Sequence, residues 1–137
     1  MSSSAREFVD TNIVVYAFTV DLRAEKALAL LGKGCMISVQ VLNEFANVAR
    51  RKLGMSWAEV DDASASIRTL CPTILPLDID THLLAMDIAK RHKLSDFDAL
   101  VIAAALQGGC ETLWSEDMHH GLMIEDRLRI SNPFHAQ

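Results

Sequence analysis

No apolar run in these 137 residues is long enough to cross a bilayer: the longest, Ala99 to Leu106, is eight residues, against about 20 for a spanning helix. Met1-Ser2-Ser3-Ser4 lacks the charged and apolar regions of a secretory signal, so a soluble, cytoplasmic protein with no membrane contact is expected. The three cysteines, Cys35, Cys71 and Cys110, are too few and too scattered for a disulfide framework. They include no Cys-x-x-Cys pair and have no histidine at zinc-finger spacing. Small buried hydrophobes in a reducing compartment fit them better. Aromatics make up only 6% of the chain, which argues against an extensive base-stacking platform. Basic residues are outnumbered, 13 to 18, for a net charge of −5, so tight nonspecific phosphate binding is disfavoured unless the acids are gathered at a metal site.

Internal repeats, low-complexity tracts and interdomain linkers are also missing. What is present is a chain that is 50% hydrophobic, enough to exclude disorder and to build one domain over residues 1–137. Short β-like runs at 7–10, 36–39, 73–77, 112–115 and 127–130 alternate with helix-length stretches. One helix, 24–32, carries Ala27, Leu28 and Leu31 on one side and stops at Gly32 and Gly34. The next, 40–53, puts Val41, Phe45, Val48 and Ala49 on one stripe. Ser56-Trp57-Ala58-Glu59 reads as a capping box opening a helix that Pro72 stops. Asp80 and Ser95 are the expected caps of two more. Strand and helix in alternation predict a mostly parallel sheet with helices on both faces, an α/β architecture whose ligands sit outside the carboxyl ends of the strands.

Four carboxylates stand out against this pattern. Asp10 ends an apolar strand, Glu44 lies on the core-facing stripe of its helix, Asp98 opens the Ala99–Leu106 run, and Asp117 follows Leu113-Trp114-Ser115-Glu116. None has a basic neighbour in its segment, and an uncompensated carboxylate out of water is costly. Each also has a structural explanation. Asp10 can cap a helix, Glu44 can reach water past its stem, Asp98 can close a capping box with Ser95, and Asp117 can form a turn. Their convergence at one sheet edge favours a shared cation. An all-oxygen set suits Mg²⁺ or Mn²⁺, and the chemistry implied is phosphodiester hydrolysis. Two other readings compete: aspartyl-phosphate chemistry, which would place a second acid where Asn12 stands, and a non-catalytic binding module.

These blocks, Val9-Asp10-Thr11-Asn12, Val41-Leu42-Asn43-Glu44-Phe45, Asp98-Ala99-Leu100-Val101 and Trp114-Ser115-Glu116-Asp117, closing at Asn132-Pro133-Phe134, resemble the PIN domain, in particular the toxins of VapBC-type toxin–antitoxin pairs. The resemblance implies a Rossmann-like metal-dependent endoribonuclease with Asp10, Glu44, Asp98 and Asp117 as its acidic quartet. It also implies metal held chiefly by Asp10, Asp98 and Asp117, with Glu44 a further candidate. Asn12 would orient a ligand or water, and Ser115 would hydrogen-bond the Asp10 region. A cognate antitoxin covering the crevice and a homodimer are implied as well. The chain departs from the pattern at Asp96, where an apolar residue is usual, and this adds a fifth candidate acid.

Two basic clusters, Arg50-Arg51-Lys52 and Lys90-Arg91-His92-Lys93, fall late in predicted helices, where they complement the helix dipole. As an RNA track, Arg50, Arg51, Lys52, Lys90, Arg91 and Lys93 would flank the acidic crevice. Trp57 is expected to pack in a helix contact, and His119-His120 to be exposed in a turn.

Overall fold

The computed structural model describes residues 6–135; the Met1–Ser4 segment lies outside them. Twelve elements follow in order: β1 (Glu7–Val9), α1 (Thr11–Tyr16), α2 (Ala24–Gly32), β2 (Ile37–Ser38), α3 (Val39–Arg51), α4 (Trp57–Leu70), β3 (Ile74–Leu75), α5 (Ile79–His92), α6 (Asp96–Gln107), β4 (Thr112–Trp114), β5 (Met123–Ile124) and β6 (Leu128–Ser131).

The main sheet runs β1-β4-β6-β5, with β1, β4 and β6 parallel and β5 antiparallel at the edge. A second parallel pair, β2-β3, joins it through a bridge between Phe8 and Met36. From β1 the chain therefore steps outward to β2 and β3, then crosses back to place β4 on the other flank of β1. The strand order reverses between β1 and β4, and the crevice expected of an open parallel sheet lies at their carboxyl ends.

The core explains why these segments take these forms. Phe8, Val9, Ile37, Leu113, Leu128 and Ile130 are fully buried along the strands, the pattern of strands covered on both faces. Helix α6 is nearly all apolar, and Val101 to Leu106 are all buried, so it is a central helix rather than a surface one. The missing side chain at Gly108 allows a close approach at the helix end: a Cβ there would lie 2.6 Å from Leu75 Cδ1 and 3.1 Å from Met36 Sδ.

Several local expectations need correcting. The cap of α5 is Asp78, whose carboxylate accepts from Thr81 N–H at 3.0 Å; Asp80 lies inside the first turn, exposed. Helix α2 buries Ala27, Leu30 and Leu31, and Leu28 faces solvent. The β5–β6 hairpin was not expected. Its turn runs through Glu125 and Asp126, both at positive φ (55° and 54°), with Arg127 N–H bonded to Ile124 C=O at 3.0 Å. Such a turn normally carries Asn and Gly, and without them it leaves little trace in the sequence. Ser95 caps α6 by accepting from Asp98 N–H at 3.2 Å. The return bond from the Asp98 carboxylate to Ser95 N–H is absent among the described residues, whereas Ser56 and Glu59 form both halves of their box. The Asp98 carboxylate therefore does not close a capping box on the Ser95 backbone.

Candidate active site

Asp10 is the fixed point of the site. Its backbone N–H is the last rung of the β1–β4 ladder, donating to Trp114 C=O at 2.9 Å, and its side chain caps α1. Only 7% of the residue is exposed. One carboxylate oxygen accepts from Thr11 N–H at 2.7 Å and the other from Ser115 Oγ–H at 2.8 Å. Burial pushes its pKa up to about 6 against those two stabilising bonds, and the charges of Asp98 and Glu44 push the same way. No cation is bonded to it among the described residues.

Glu7, three residues back at the start of β1, shows what a structurally satisfied acid looks like in this sheet. Its carboxylate accepts from Lys33 Nζ at 2.8 Å and from Trp114 Nε1 at 2.7 Å. Asp10 lacks any such partner.

Helix α3 starts at Ser38, which caps it by accepting from Val41 N–H at 3.3 Å. Glu44 then stands on the first turns facing α1, where Thr11 Oγ1 donates to its carboxylate at 2.8 Å. Asp98 reaches in from the first turn of α6. Its pKa is raised, mainly by partial burial and further by the charge of Asp117, with the Ser95 hydrogen bond opposing. Asp117 comes from the loop after β4 and is exposed. These four acids from four parts of the chain line one cleft of about 370 Å³, together with Thr11, Asn12, Val15, Tyr16, Val48, Lys52, Phe97 and Val101.

Asn12 and Ser115 support the acids in different ways. Ser115 is fully buried beneath Asp10. Asn12 Oδ1 accepts from Glu116 N–H at 3.3 Å, tying the loop that carries Asp117 to α1. Glu116 itself is clamped by Tyr16 Oη–H and by Arg23 at 2.7 Å, and Arg23 lies 4.3 Å over the Tyr16 ring. Thr11, Tyr16, Arg23 and Glu116 were not singled out from sequence. Thr11 could have been, because it follows Asp10 directly; the Arg23–Glu116 pair spans 93 residues and leaves no local signal.

Other expected positions fall elsewhere. Asp96 is exposed on α6 and does not line the cleft. Of the basic clusters only Lys52 reaches the cleft wall. Lys90, Arg91 and Lys93 do not line it, and Arg91 is taken up by Asp87 and Glu125. Trp57 is 65% exposed rather than packed, because it is the first residue of α4 and stands ahead of the buried Val60, Ala63 and Ile67. His119 is exposed, and His120 stacks on His135 with ring centres 4.0 Å apart.

The donor set is entirely oxygen, which suits a hard divalent ion. Among the described residues no three His, Cys, Asp or Glu side chains stand close enough to cage an ion unaided.

A switch-point crevice on a mostly parallel sheet, walled by acids from four separated segments, is the architecture of a PIN domain. The family model for the PIN domain matches residues 8–120, and the chain belongs to that family. Among solved structures it is similar to VapC20 of Mycobacterium tuberculosis, a sarcin-ricin-loop-cleaving toxin, at 25% identity over 78% of this chain and 86% of that one, with a TM-score of 0.65. A toxin–antitoxin complex from Klebsiella pneumoniae (18% identity, 95% and 99% covered, TM-score 0.73) and VapBC2 of Rickettsia felis bound to promoter DNA (18%, 92% and 97%, 0.64) share the fold. No curated relative matches the chain by sequence.

Proposed function

We propose that the chain, as one domain, is a Mg²⁺- or Mn²⁺-dependent endoribonuclease and the toxin of a toxin–antitoxin pair. The observation that carries this reading is the convergence of Asp10, Glu44, Asp98 and Asp117 on one cleft, with the buried Asp10 left without a cation. The similarity to VapC20 supports RNA as the substrate. The toxin–antitoxin complexes among its structural relatives support an antitoxin as a partner. A homodimer and a cytoplasmic setting complete the proposal, the latter supported by three free buried cysteines.

Asp10, Asp98 and Asp117, with Glu44 at the wall, are the groups that would hold the ion. When bound, it would polarise the scissile phosphate and acidify a water. The chain's own residues set up the rest. Thr11 and Ser115 hold Asp10 ionised and immobile against the cost of burial. The Thr11 hydroxyl orients Glu44, Asn12 steadies the Asp117 loop, and Lys52 offers a positive charge on the cleft wall to a phosphate.

Incubating RNA with wild type and Asp98→Asn, with Mg²⁺, with Mn²⁺ and with chelator, tests the proposal. Metal-dependent cleavage by wild type is expected to fall at least about a hundredfold in the variant, the scale for removing a group that acts on the reacting atoms. Equal cleavage by both proteins, or none by wild type with either metal, overturns it.

A further inference from the structure

Beside the acidic cleft, helix α3 presents a second concavity. Asn43, Asn47, Arg50 and Arg51 line a groove of about 480 Å³ whose far side is Trp57. The indole is 65% exposed, and the Arg50 guanidinium lies 4.4 Å from its ring centre. Arg50 also donates to Met55 C=O at 2.9 Å, and the Ser56–Glu59 capping box fixes the first turn of α4 on which Trp57 stands. An exposed indole braced in this way is held as a platform rather than left to collapse onto the surface. Cation and aromatic ring attract each other, and both side chains lose freedom before any ligand arrives.

The groove and the cleft share a wall. Arg51 lies seven residues after Glu44 on α3, about 10 Å along the axis and within about 20° around it. Val48 and Lys52 on the same helix line the cleft. Neither Arg51 nor Lys52 has a carboxylate within ion-pairing distance among the described residues. Two unpaired cations thus bridge the step from the acids to the indole. Asn43 and Asn47 place amide donors and acceptors between them.

We propose that this groove is a nucleobase-stacking subsite for single-stranded RNA leaving the cleft, a proposal that rests on the ribonuclease reading. A base stacks on the Trp57 ring, Arg51 and Lys52 meet the phosphates between it and the cut bond, and the two asparagines face the base edge. Charge complementarity and continuity with the cleft favour RNA over an apolar protein segment, which would leave the two cations without partners. The scarcity of other exposed aromatics makes this one stack the main contact to a base outside the cleft.

The test measures affinity for a mixed-sequence single-stranded oligoribonucleotide in an Asp98→Asn background, which binds without cutting. Trp57→Ala is expected to weaken binding about tenfold, the weight of one base-on-aromatic stack, and Trp57→Phe to recover most of it. Long-chain inorganic polyphosphate, which has charge but no bases, is expected to bind equally to parent and Trp57→Ala. Arg51→Gln is expected to loosen both ligands and to lower the salt slope of RNA binding by about 0.7. The subsite is overturned if Trp57→Ala binds RNA like its parent, if it weakens polyphosphate as much as RNA, or if it spares RNA and abolishes binding of an antitoxin instead. Cleavage by the wild-type chain is read separately. Metal-dependent cutting with an unchanged Trp57→Ala affinity overturns the groove alone, and neither cutting nor RNA binding overturns both readings.

Discussion

At Asp10 a carboxylate is held almost wholly out of water with two neutral donors and no cation. Its folded pKa of about 6 lies above the ordinary value of 3.8. Between those values the folded protein keeps a proton that the unfolded chain has released, so stability is greatest below the unfolded value and is lost as pH rises through the folded one. For the metal-free protein the loss from this group is about 2 kcal/mol between pH 4 and pH 7. Asp10→Asn keeps the shape, since its amide oxygen can accept from Thr11 and its NH₂ can donate to Ser115 Oγ. In chelator it is expected to melt higher than wild type at pH 7.5 and to lose most of the decline between pH 4 and 6. A lower melting temperature for the variant at pH 7.5 would show that the ionised carboxylate is stabilising there, contrary to the burial argument. The four acids were visible as residues in the sequence, because an acid inside an apolar run is conspicuous. Their individual explanations were equally visible. What separated Glu7 from Asp10 was Lys33 and Trp114, partners that only folding supplies.

Elements were legible where their punctuation was local. Ser56 and Ser95 start helices as their hydroxyls allow, and of the stripe Val41, Phe45, Val48 and Ala49 all but Val48, which lines the cleft, are buried as the spacing requires. Asp80 is the cap of α5 expected from sequence, and the structure uses Asp78, whose carboxylate reaches both the N–H and the hydroxyl of Thr81. The β5–β6 hairpin was illegible for a related reason: Glu125 and Asp126 adopt a conformation that their types rarely adopt. Gly108 belongs to the same scale. Its φ is ordinary, so only the closeness of Leu75 and Met36 to the end of α6 makes it sensitive. Gly108→Ala is expected to destabilise the protein by about 1–3 kcal/mol through overpacking, read as a lower denaturation midpoint at unchanged slope. An unchanged midpoint would mean that the α6–β2–β3 contact yields without cost.

For the molecule as a whole, the acidic cleft is a repulsive cluster that, on the proposed reading, a divalent ion would relieve. Millimolar Mg²⁺ or Mn²⁺ is expected to raise the melting temperature by several degrees at pH 7.5, since a ligand that binds only the folded state stabilises it by mass action. The shift is expected to shrink at pH 5, where Asp10 holds its proton, and in Asp98→Asn. KCl at matched ionic strength should not reproduce it, and an equal shift with KCl would point to general screening rather than a site. The sequence alone determined the alternation of strands and helices, the four acids and the oxygen-only donor set, because these depend on local composition and spacing. Only the tertiary structure decided that β4 returns beside β1, that Ser115 lies under Asp10, and that Arg91 is spent in ion pairs while Arg51 is free. Those outcomes depend on contacts between residues up to about a hundred positions apart, whose pairing is set by burying one common core rather than by any neighbour along the chain.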